Sequence, residues 1–262
     1  MAKGIYLGIE SISRKVKKMF VGVEGVARKV KKGYVGVNGI ARLFFSGQYK
    51  VVRYGYIDNL SESRHGSAGA SVKDWAIFAG GRHGANNQSD GIDYYDENYT
   101  HSSGNLMRSL GDGIRGASSN GKAYFHRGRY TQVVDNALTE EQINWSSSTG
   151  MWSEVCSLSD GVAVAGGDTA VNSGEYQKWC YYVDSDNSIS QYPDLTYKAS
   201  HMGAARAWEK AFFAGGTRGV NTADRVVNQY STDGTKGPDL ELTNDVGGNT
   251  PAAAATEDYL FI

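Results

Sequence analysis

The feature of this sequence that most limits its possible folds is an apolar hexapeptide ending in two glycines, which recurs along the chain. The copies are AIFAGG (76–81), VAVAGG (162–167) and AFFAGG (211–216), and AYFHRG (123–128) holds the same place in a less regular copy. Each copy follows a stretch of small residues and precedes a second apolar segment that closes on an aspartate. The units are about 40–50 residues long, and self-similarity at such a period indicates a chain built from equivalent structural units.

Each unit has the composition of one four-stranded antiparallel sheet. The small residues predict an inner strand, because equal sheets arranged around an axis crowd most closely at that axis. The Gly-Gly pair lets the chain turn where a Cβ atom would clash. The closing aspartate is expected to cap the tight turn between the two outer strands, and the four candidates are Asp96, Asp135, Asp184 and Asp233.

The two ends of the repeat region are each half of a unit. Residues 251–262 (PAAAATEDYLFI) have the pattern of a first and a second strand, and residues 49–60 (YKVVRYGYIDNL) that of a third strand closing on Asp58. We therefore expect DYLFI to pair with residues 50–57 in a sheet shared between the two ends, which removes the open edges. The sequence predicts an all-β, five-bladed propeller over residues 48–262, closed by its N- and C-terminal strands.

The segment FAGGRHGANNQSDGIDYYDENY (78–99) gives the repeat a more specific resemblance. A strand ending in Gly-Gly, a variable loop and an apolar strand ending in Tyr-Asp resemble the kelch repeat and the central domain of galactose oxidase. That resemblance implies a propeller and raises the possibility of a copper enzyme. The histidines of this chain do not match the motif of that family, so we expect no catalytic residue, no metal and no cofactor. They are His65, His83, His101, His126 and His201.

Two histidines hold what read as equivalent repeat positions. His65 (SRHGSA) and His201 (ASHMGA) each stand just before an inner strand, which predicts a structural role such as bonding a loop carbonyl. The two cysteines, Cys156 and Cys180, fall on the first and third strands of one unit. Neighbouring strands are about 4.8 Å apart, so two strand spacings exceed the reach of a disulfide, and both residues are predicted to be reduced packing residues.

Residues 1–47 carry a different repeat, with a period of fourteen. Its copies are YLGIESISRKVKKM (6–19), FVGVEGVARKVKKG (20–33) and YVGVNGIARLFFSG (34–47). Within a copy, VGVNGIAR has the pattern strand, Asn-Gly turn, strand, which is a strong hairpin signal. The sequence predicts a small meander of antiparallel hairpins over residues 1–47. A meander of this length is marginal alone, so we expect it to need a partner surface or copies of itself, and hence a homo-oligomer.

The charge of the chain is divided unequally between these two regions. The net charge is −1, yet residues 1–47 hold ten Lys or Arg and two acids, and the rest holds 17 basic and 26 acidic residues. Valines between the basic residues of RKVKK indicate a strand with alternating faces, which favours docking to a protein partner over a solvated face or nucleic acid. The predicted anchoring residues are Arg14, Lys17, Arg28, Lys31 and Arg42.

The loops that follow Gly-Gly are rich in polar residues and lie near Trp75, Trp179 and Trp208 in the sequence. Polar loops beside aromatic rings suit sugar recognition, by hydrogen bonds and ring stacking, and they equally suit ordinary solvated loops. Both interpretations stay open at this stage. The candidate ligand-binding residues are Arg82, His83, Asn86, Asn87, Asp168, Trp208, Arg218 and Asn221.

The fourteen-residue array resembles arrays at the start of structural proteins of bacteriophages of Gram-positive hosts. That resemblance implies a non-enzymatic virion component of the tail, baseplate or head surface. The basic region would anchor it to other virion proteins, and the propeller would bind host surface carbohydrate or a virion protein. The alternatives are a carbohydrate-active enzyme on a kelch propeller and a general protein-interaction module. We predict neither a secretory signal nor a membrane span, so synthesis in the bacterial host cytoplasm would precede incorporation into the virion.

Overall fold

The chain forms two compact units, residues 1–56 and 57–262. The computed structural model describes part of each of them. In the first unit these parts are residues 6–9, 12–15, 20–23, 26–29, 32–37 and 40–46. In the second they are residues 58–84, 87–106, 110–145, 150–168, 175–219, 222–246, 253–255 and 260–261. The described residues contain strands and turns and no helix.

The first unit consists of three antiparallel hairpins. Their strands are β1 (Tyr6–Ile9) with β2 (Ile12–Lys15), β3 (Phe20–Val23) with β4 (Val26–Lys29), and β5 (Lys32–Val37) with β6 (Ile40–Ser46). The register repeats with the sequence, since each repeat arginine stands opposite an aliphatic residue: Leu7 and Arg14, Val21 and Arg28, Val35 and Arg42. The predicted hairpins are confirmed. A continuous meander would need pairing between hairpins, and the described strands of this unit pair only within each hairpin.

The second unit is a succession of four-stranded antiparallel sheets, as the Gly-Gly repeat predicts. Sheet 1 contains β7 (Ala68–Val72), β8 (Trp75–Ala79), β11 (Gly91–Tyr95) and β12 (His101–Asn105), with the short ribbon β9 (Arg82–His83) and β10 (Asn87–Gln88) between β8 and β11. Sheet 2 contains β13 (Arg115–Ser119), β14 (Lys122–Arg127), β15 (Tyr130–Val134) and β16 (Glu140–Asn144). Sheet 3 contains β17 (Glu154–Leu158), β18 (Gly161–Ala165), β19 (Cys180–Asp184) and β20 (Ile189–Tyr192). Sheet 4 contains β21 (Gly203–Ala207), β22 (Lys210–Ala214), β24 (Thr222–Ser231) and β25 (Leu240–Val246), with β23 (Thr217–Gly219) paired to β24. A further antiparallel pair, β26 (Ala254–Ala255) and β27 (Leu260–Phe261), follows sheet 4.

The first strands of consecutive sheets pack against one another in chain order, β7 on β13, β13 on β17, β17 on β21 and β21 on β26. Small residues are required there, because a Cβ atom on Gly116 would lie 2.6 Å from the carbonyl oxygen of Gly69 in the neighbouring sheet. The Ser71 N–H donates to Ser118 Oγ at 2.7 Å across the same gap. The prediction of inner strands built from small residues is confirmed, and the described part has the all-β, multi-sheet architecture of a β-propeller-like fold.

Apolar side chains fill the space between facing sheets. Sheets 1 and 2 share a cluster around Ile77 and Phe125, and sheets 3 and 4 share one around Phe213. Cys156 and Cys180 belong to the latter cluster, where both are buried and unpaired. They lie on β17 and β19 with β18 between them, so the prediction of reduced packing cysteines is confirmed.

The turn between the third and fourth strands is capped by aspartate in the first three sheets. Asp96 Oδ1 accepts the N–H groups of Asn98 and Thr100 at 2.8 and 2.7 Å, and Asp135 and Asp184 do the same in their own turns. In sheet 4 the backbone bonds place Ser231, not Asp233, at the equivalent position, since the Ser231 N–H donates to the Thr235 carbonyl. Asp233 instead accepts the Thr235 N–H at 2.9 Å from within the turn. The predicted cap is therefore confirmed in three sheets and shifted by two residues in the fourth.

The segment before β7 repeats the linker that enters sheet 4. Ser61 N–H donates to Asp93 Oδ1 as Thr196 N–H donates to Asn228 Oδ1. His65 forms a backbone bridge with Arg82 as Ser200 does with Thr217. Residues 58–66 thus correspond to residues 193–201, which follow a fourth strand. Asp58 therefore does not hold the place of the turn aspartates, and the predicted pairing of DYLFI with residues 50–57 lies outside the described residues.

Candidate functional site

Four equivalent positions, each two residues before a first strand, hold backbone in the left-handed region. They are Gly66, Gly113, Trp152 and His201, with φ of 68°, 82°, 62° and 55°. Two of these positions carry rings, and the indole of Trp152 stacks on the imidazole of His201 with centroids 4.6 Å apart. A Cβ atom on Gly113 would lie 3.0 Å from the Trp152 ring. Glycine in sheet 2 therefore makes room for the tryptophan of sheet 3.

Charged side chains surround this ring pair, and we call the whole set the entry cluster. It comprises Arg82, Asp112, Arg115, Arg127, Trp152, Glu154, Asp168 and His201. Arg115 links two sheets, because its Nε donates to Glu154 Oε2 at 2.8 Å while its guanidinium carbon lies 5.7 Å from the centroid of the Trp152 ring. A cation at this distance from an indole face is favourable and holds the ring in place.

Asp112 contacts two further arginines of the cluster, Arg82 after sheet 1 and Arg127 at the end of β14. Arg82 Nη1 lies 3.6 Å from Asp112 Oδ2, and Arg127 Nε donates to the Asp112 carbonyl oxygen at 2.7 Å. Among the described residues Arg82 Nε has no hydrogen-bond partner although it is buried. The guanidinium of Arg82 is therefore held at the cluster with unused hydrogen-bonding capacity.

Burial sets the protonation of two groups in the cluster. It lowers the pKa of His201, and the positive charge of Arg115 lowers it further, so the imidazole is neutral at pH 7. Its Nδ1 lies 2.9 Å from Ser200 Oγ. Burial raises the pKa of Glu154 to about 7, against the opposing effect of the Arg115 guanidinium. The cluster thus combines a partly exposed aromatic pair, fixed guanidinium groups and a carboxyl group that titrates near neutrality.

The raised pKa of Glu154 predicts a stability that depends on pH. Between the ordinary glutamate pKa of 4.5 and about 7, the folded state binds more protons than the unfolded state, so the free energy of unfolding falls as pH rises through this window. Relative to Glu154→Gln, the unsubstituted protein should lose up to roughly 3 kcal/mol between pH 4.5 and 7.5. Urea unfolding of both proteins at several pH values measures this difference, in which the contributions of other groups cancel. A difference that does not change with pH would contradict the prediction.

The structure brings together only part of the predicted ligand-binding set. Arg82 and Asp168 follow Gly-Gly in their sheets and belong to the entry cluster, where Asp168 is buried and bridged through its backbone to Met151. His83 and Asn87 lie in the exposed ribbon β9–β10. Arg218 lies in β23. Asn86 and Asn221 are outside the described residues.

The predicted proximity of Trp208 to the polar loops is wrong. Trp208 lies in the turn from β21 to β22, and the Gly-Gly loop leaves the other end of β22. Strands rise about 3.3 Å per residue, so these two ends are roughly 15 Å apart. Trp75 is likewise at the start of β8, while Trp179 precedes β19 on the loop side. Trp152 is the aromatic residue that the structure places beside the charged groups.

Sequence reasoning missed Trp152, Arg115 and His201 because it aligned the units one residue out of register at this point. The backbone bridges match His65 with Met151 and Ser200, so His201 corresponds to Gly66 and not to His65. Its ring contacts are with Trp152 and Ser200, where a bond to a loop carbonyl was expected. Trp152 and His201 each stand the same number of residues before the residue that follows Gly-Gly in their unit. An alignment of the units on that residue would have placed both at one repeat position.

The anchoring residues fall in the first unit. Arg14, Arg28 and Arg42 hold one register position in β2, β4 and β6, and Lys17 and Lys31 lie outside the described residues. In the described part of the chain, no three His, Cys, Asp or Glu side chains are grouped so that they could hold a metal ion. A search of the same residues finds no helix long and apolar enough to cross a membrane.

Comparison with known proteins identifies a fold and no family. No family model matches the chain, and no curated protein matches it either. Among solved structures 196 chains match, which indicates a widely used architecture. One is the structure of YjhT, which is 11% identical over 82% of this chain and 81% of that chain, with a TM-score of 0.64. At this level of identity the likeness shows the fold alone.

Proposed function

We propose that this chain is a bacteriophage virion structural protein that uses its second unit to bind a surface glycan of the host. The observation that carries the proposal is the combination of two features in one chain. The fourteen-residue array forms equivalent hairpins with its arginines in register, and it precedes a propeller-like unit with an aromatic and charged cluster at the start of its first strands.

We further propose that the second unit is a five-bladed, kelch-like propeller closed by its two ends. Four complete sheets are followed by the β26–β27 pair, and β26 packs on β21 as the first strands of the other sheets pack on one another. Residues 58–66 occupy the position of a linker that leaves a fourth strand, which supports a strand before them in the closing sheet. Removal of residues 253–262 should lower the melting temperature. An unchanged melting curve would contradict closure by this segment.

The entry cluster is the proposed glycan-binding surface. The indole of Trp152, partly exposed and packed between His201 and Arg115, offers an apolar contact. The guanidinium of Arg82, whose side chain is 29% exposed, offers N–H groups. Aromatic rings and convergent polar groups suit sugar hydroxyls and the apolar faces of sugar rings. Another virion protein is the alternative ligand, and its binding would use the same partly exposed groups.

We predict that Trp152→Ala lowers glycan affinity at least tenfold, because it removes the apolar ring of the cluster and the partner that positions both His201 and Arg115. Trp208→Ala is the matched control, since Trp208 is exposed on the turn from β21 to β22. A glycan array with the purified protein identifies the ligand, and calorimetry with the two variants measures affinity. Equal loss in both variants, or none in either, would exclude the entry cluster as the site.

A virion role is tested directly on particles. Purified virions should contain this chain, and electron microscopy should show density for it on the tail, baseplate or head surface. The first unit is proposed to contact other virion proteins and to make a homo-oligomer, which would raise weak single-site affinity through avidity. Absence of the chain from purified particles would refute the proposal.

A carbohydrate-active enzyme is the second candidate, and Glu154 favours it. A carboxyl group with a pKa of about 7 is suited to donate and accept a proton near neutrality. Incubation with any glycan that binds, followed by product analysis, separates the two functions. Retained binding without product would exclude the enzyme.

A further inference from the structure

A cavity lies at sheet 1, and none of the residues that line it belongs to the entry cluster. It has a volume of about 380 Å³, and every residue that lines it is polar or glycine. The lining residues are Ser61, Glu62, Asp90, Gly91, Ser103, Gly104 and Asn105. We propose that this sheet 1 cavity binds an amino sugar, a ligand with one positive charge and several hydroxyl groups.

The carboxylate of Glu62 is fixed at the cavity wall by buried groups. Ser89, which is 1% exposed, donates its hydroxyl to Glu62 Oε1, and Arg64 Nη1 donates to the same oxygen at 3.3 Å. Glu62 Oε2 lies 3.4 Å from His83 Nδ1. The hydrogen bond from Ser89 lowers the pKa of Glu62, so the group is ionised at neutral pH. The negative charge is in place before any ligand arrives.

The two glycines of the lining have separate roles. A Cβ atom on Gly91 would lie 2.6 Å from Glu62 Oε1, so glycine is needed there for the carboxylate to reach the wall. The Gly91 N–H also donates to Ser89 Oγ at 2.9 Å, which orients the serine hydroxyl. Gly104 is exposed on β12, and a Cβ atom there would meet no atom closer than 3.6 Å. Because Gly104 pairs with Ile92, that Cβ atom would point to the face of Ile92 and Tyr94, and Gly104 lines the cavity through its backbone. Ser103 pairs with Asp93 and is exposed, so a larger side chain at Ser103 lies on the face of Glu62 and enters the cavity space.

The chemistry of the lining selects the class of ligand. Glu62 and Asp90 are carboxylates, and no lysine or arginine lines the cavity, which disfavours anionic ligands. Ser61, Ser103 and Asn105 offer hydroxyl and amide groups for sugar hydroxyls, and the absence of apolar lining gives an apolar ligand no advantage. Ligand pockets span roughly 300–1,000 Å³, so a cavity at the small end suits one sugar ring. Arg64 is shared between Glu62 and the buried Asp93, so these three groups keep a net negative charge, which an ammonium group facing Glu62 would offset.

Calorimetry on the full chain tests this assignment with glucosamine as the probe. Glucose, which lacks the ammonium group, and ethanolamine, which lacks the ring, should each bind at least tenfold more weakly. Glu62→Gln should weaken glucosamine binding at least tenfold, and Ser103→Leu should block it without removing a charged group. Asp74→Asn, at an exposed aspartate of the turn from β7 to β8, should leave it unchanged.

Several results would overturn the assignment. One is equal affinity for glucosamine and glucose, and another is glucosamine binding that survives both Glu62→Gln and Ser103→Leu. Displacement of glucosamine by calcium at equal concentration would identify a cation site instead. Trp152→Ala should leave glucosamine binding intact, so failure at the entry cluster and failure at the sheet 1 cavity are distinguishable.

Discussion

Replacement of Gly80 by alanine is expected to lower the free energy of unfolding by roughly 3 kcal/mol or more, because left-handed backbone strain of about 1–2 kcal/mol adds to steric overlap of about 1–3 kcal/mol. Gly80 has φ of 62°. A Cβ atom there would overlap the Leu110 carbonyl oxygen and lie 2.9 Å from Ile114 Cδ1. The Leu110 carbonyl accepts the Gly81 N–H at 3.0 Å. The segment between sheets 1 and 2 therefore cannot move away from an added methyl group without losing this hydrogen bond.

Gly84 provides the matched control for this substitution. It has φ of 65°, almost the value at Gly80, and an added Cβ would meet nothing within 4 Å. Gly84→Ala should therefore cost only about 1–2 kcal/mol of backbone strain. Equilibrium unfolding in urea measures both variants. Equal losses of unfolding free energy in the two variants would show that backbone strain alone requires glycine at Gly80. The close approach of the Leu110 carbonyl would then contribute nothing.

The sequence predicted those parts of the fold that depend on local chemistry. Gly-Gly marks a turn at which backbone crosses backbone, and an aspartate followed by polar residues marks an Asx-capped turn, so Gly80 and Asp96 could be assigned from a few residues each. Small residues on a first strand indicate that a neighbouring sheet packs closely against that strand, as the backbone of Gly69 packs against Gly116. Asp233 was placed wrongly because a serine two residues earlier can hold the same backbone turn.

The entry cluster could not be predicted in the same way. Trp152 and His201 replace the glycines of sheets 1 and 2 at one repeat position, and each is a single exception to the pattern. Their contact, and the approach of Arg115, depend on how neighbouring sheets pack, which no short stretch of sequence specifies. Trp208 shows the opposite failure. Trp208 lies close to a polar loop in the sequence, but β22 separates the two. The turn that precedes a strand and the loop that follows it lie at opposite ends of that strand, so Trp208 and the loop are far apart.

The buried ion pair of sheet 1 also escaped sequence analysis, and it leads to the second large prediction. Arg64 and Asp93 pair with both side chains 0% exposed. Burial raises the pKa of Asp93, and bonds from His101 and Ser61 outweigh that effect, so the pKa stays below its usual value. In sheet 4 the equivalent positions hold Ala199 and Asn228, a neutral combination that makes the same bond to the linker backbone.

Arg64→Ala and Asp93→Asn should each cost about 3–5 kcal/mol, because each removes the fully buried partner of the other charge. Among the described residues, Arg64 then keeps only the part-exposed Glu62 as an ionic partner, and Asp93 keeps only His101 and the Ser61 N–H. The double variant recreates the sheet 4 combination, in which the amide oxygen introduced by Asp93→Asn would still accept the Ser61 N–H. We expect it to lose no more stability than either single variant, so the coupling energy should reach about 3 kcal/mol. Urea unfolding of the unsubstituted protein, the two single variants and the double variant gives the four free energies from which the coupling energy is calculated.

The surface pair Lys178 and Asp194 is the control for this cycle, with N···O of 2.9 Å and side chains 50% and 30% exposed. Exposed pairs contribute at most about 1 kcal/mol, so its coupling should be small. Additive losses at Arg64 and Asp93 would mean that the two charges are solvated in the folded protein. The Ser61 bond and the His65–Arg82 backbone bridge would then hold the linker, as the corresponding bonds hold its counterpart in sheet 4, and the charged pair would add nothing to that attachment.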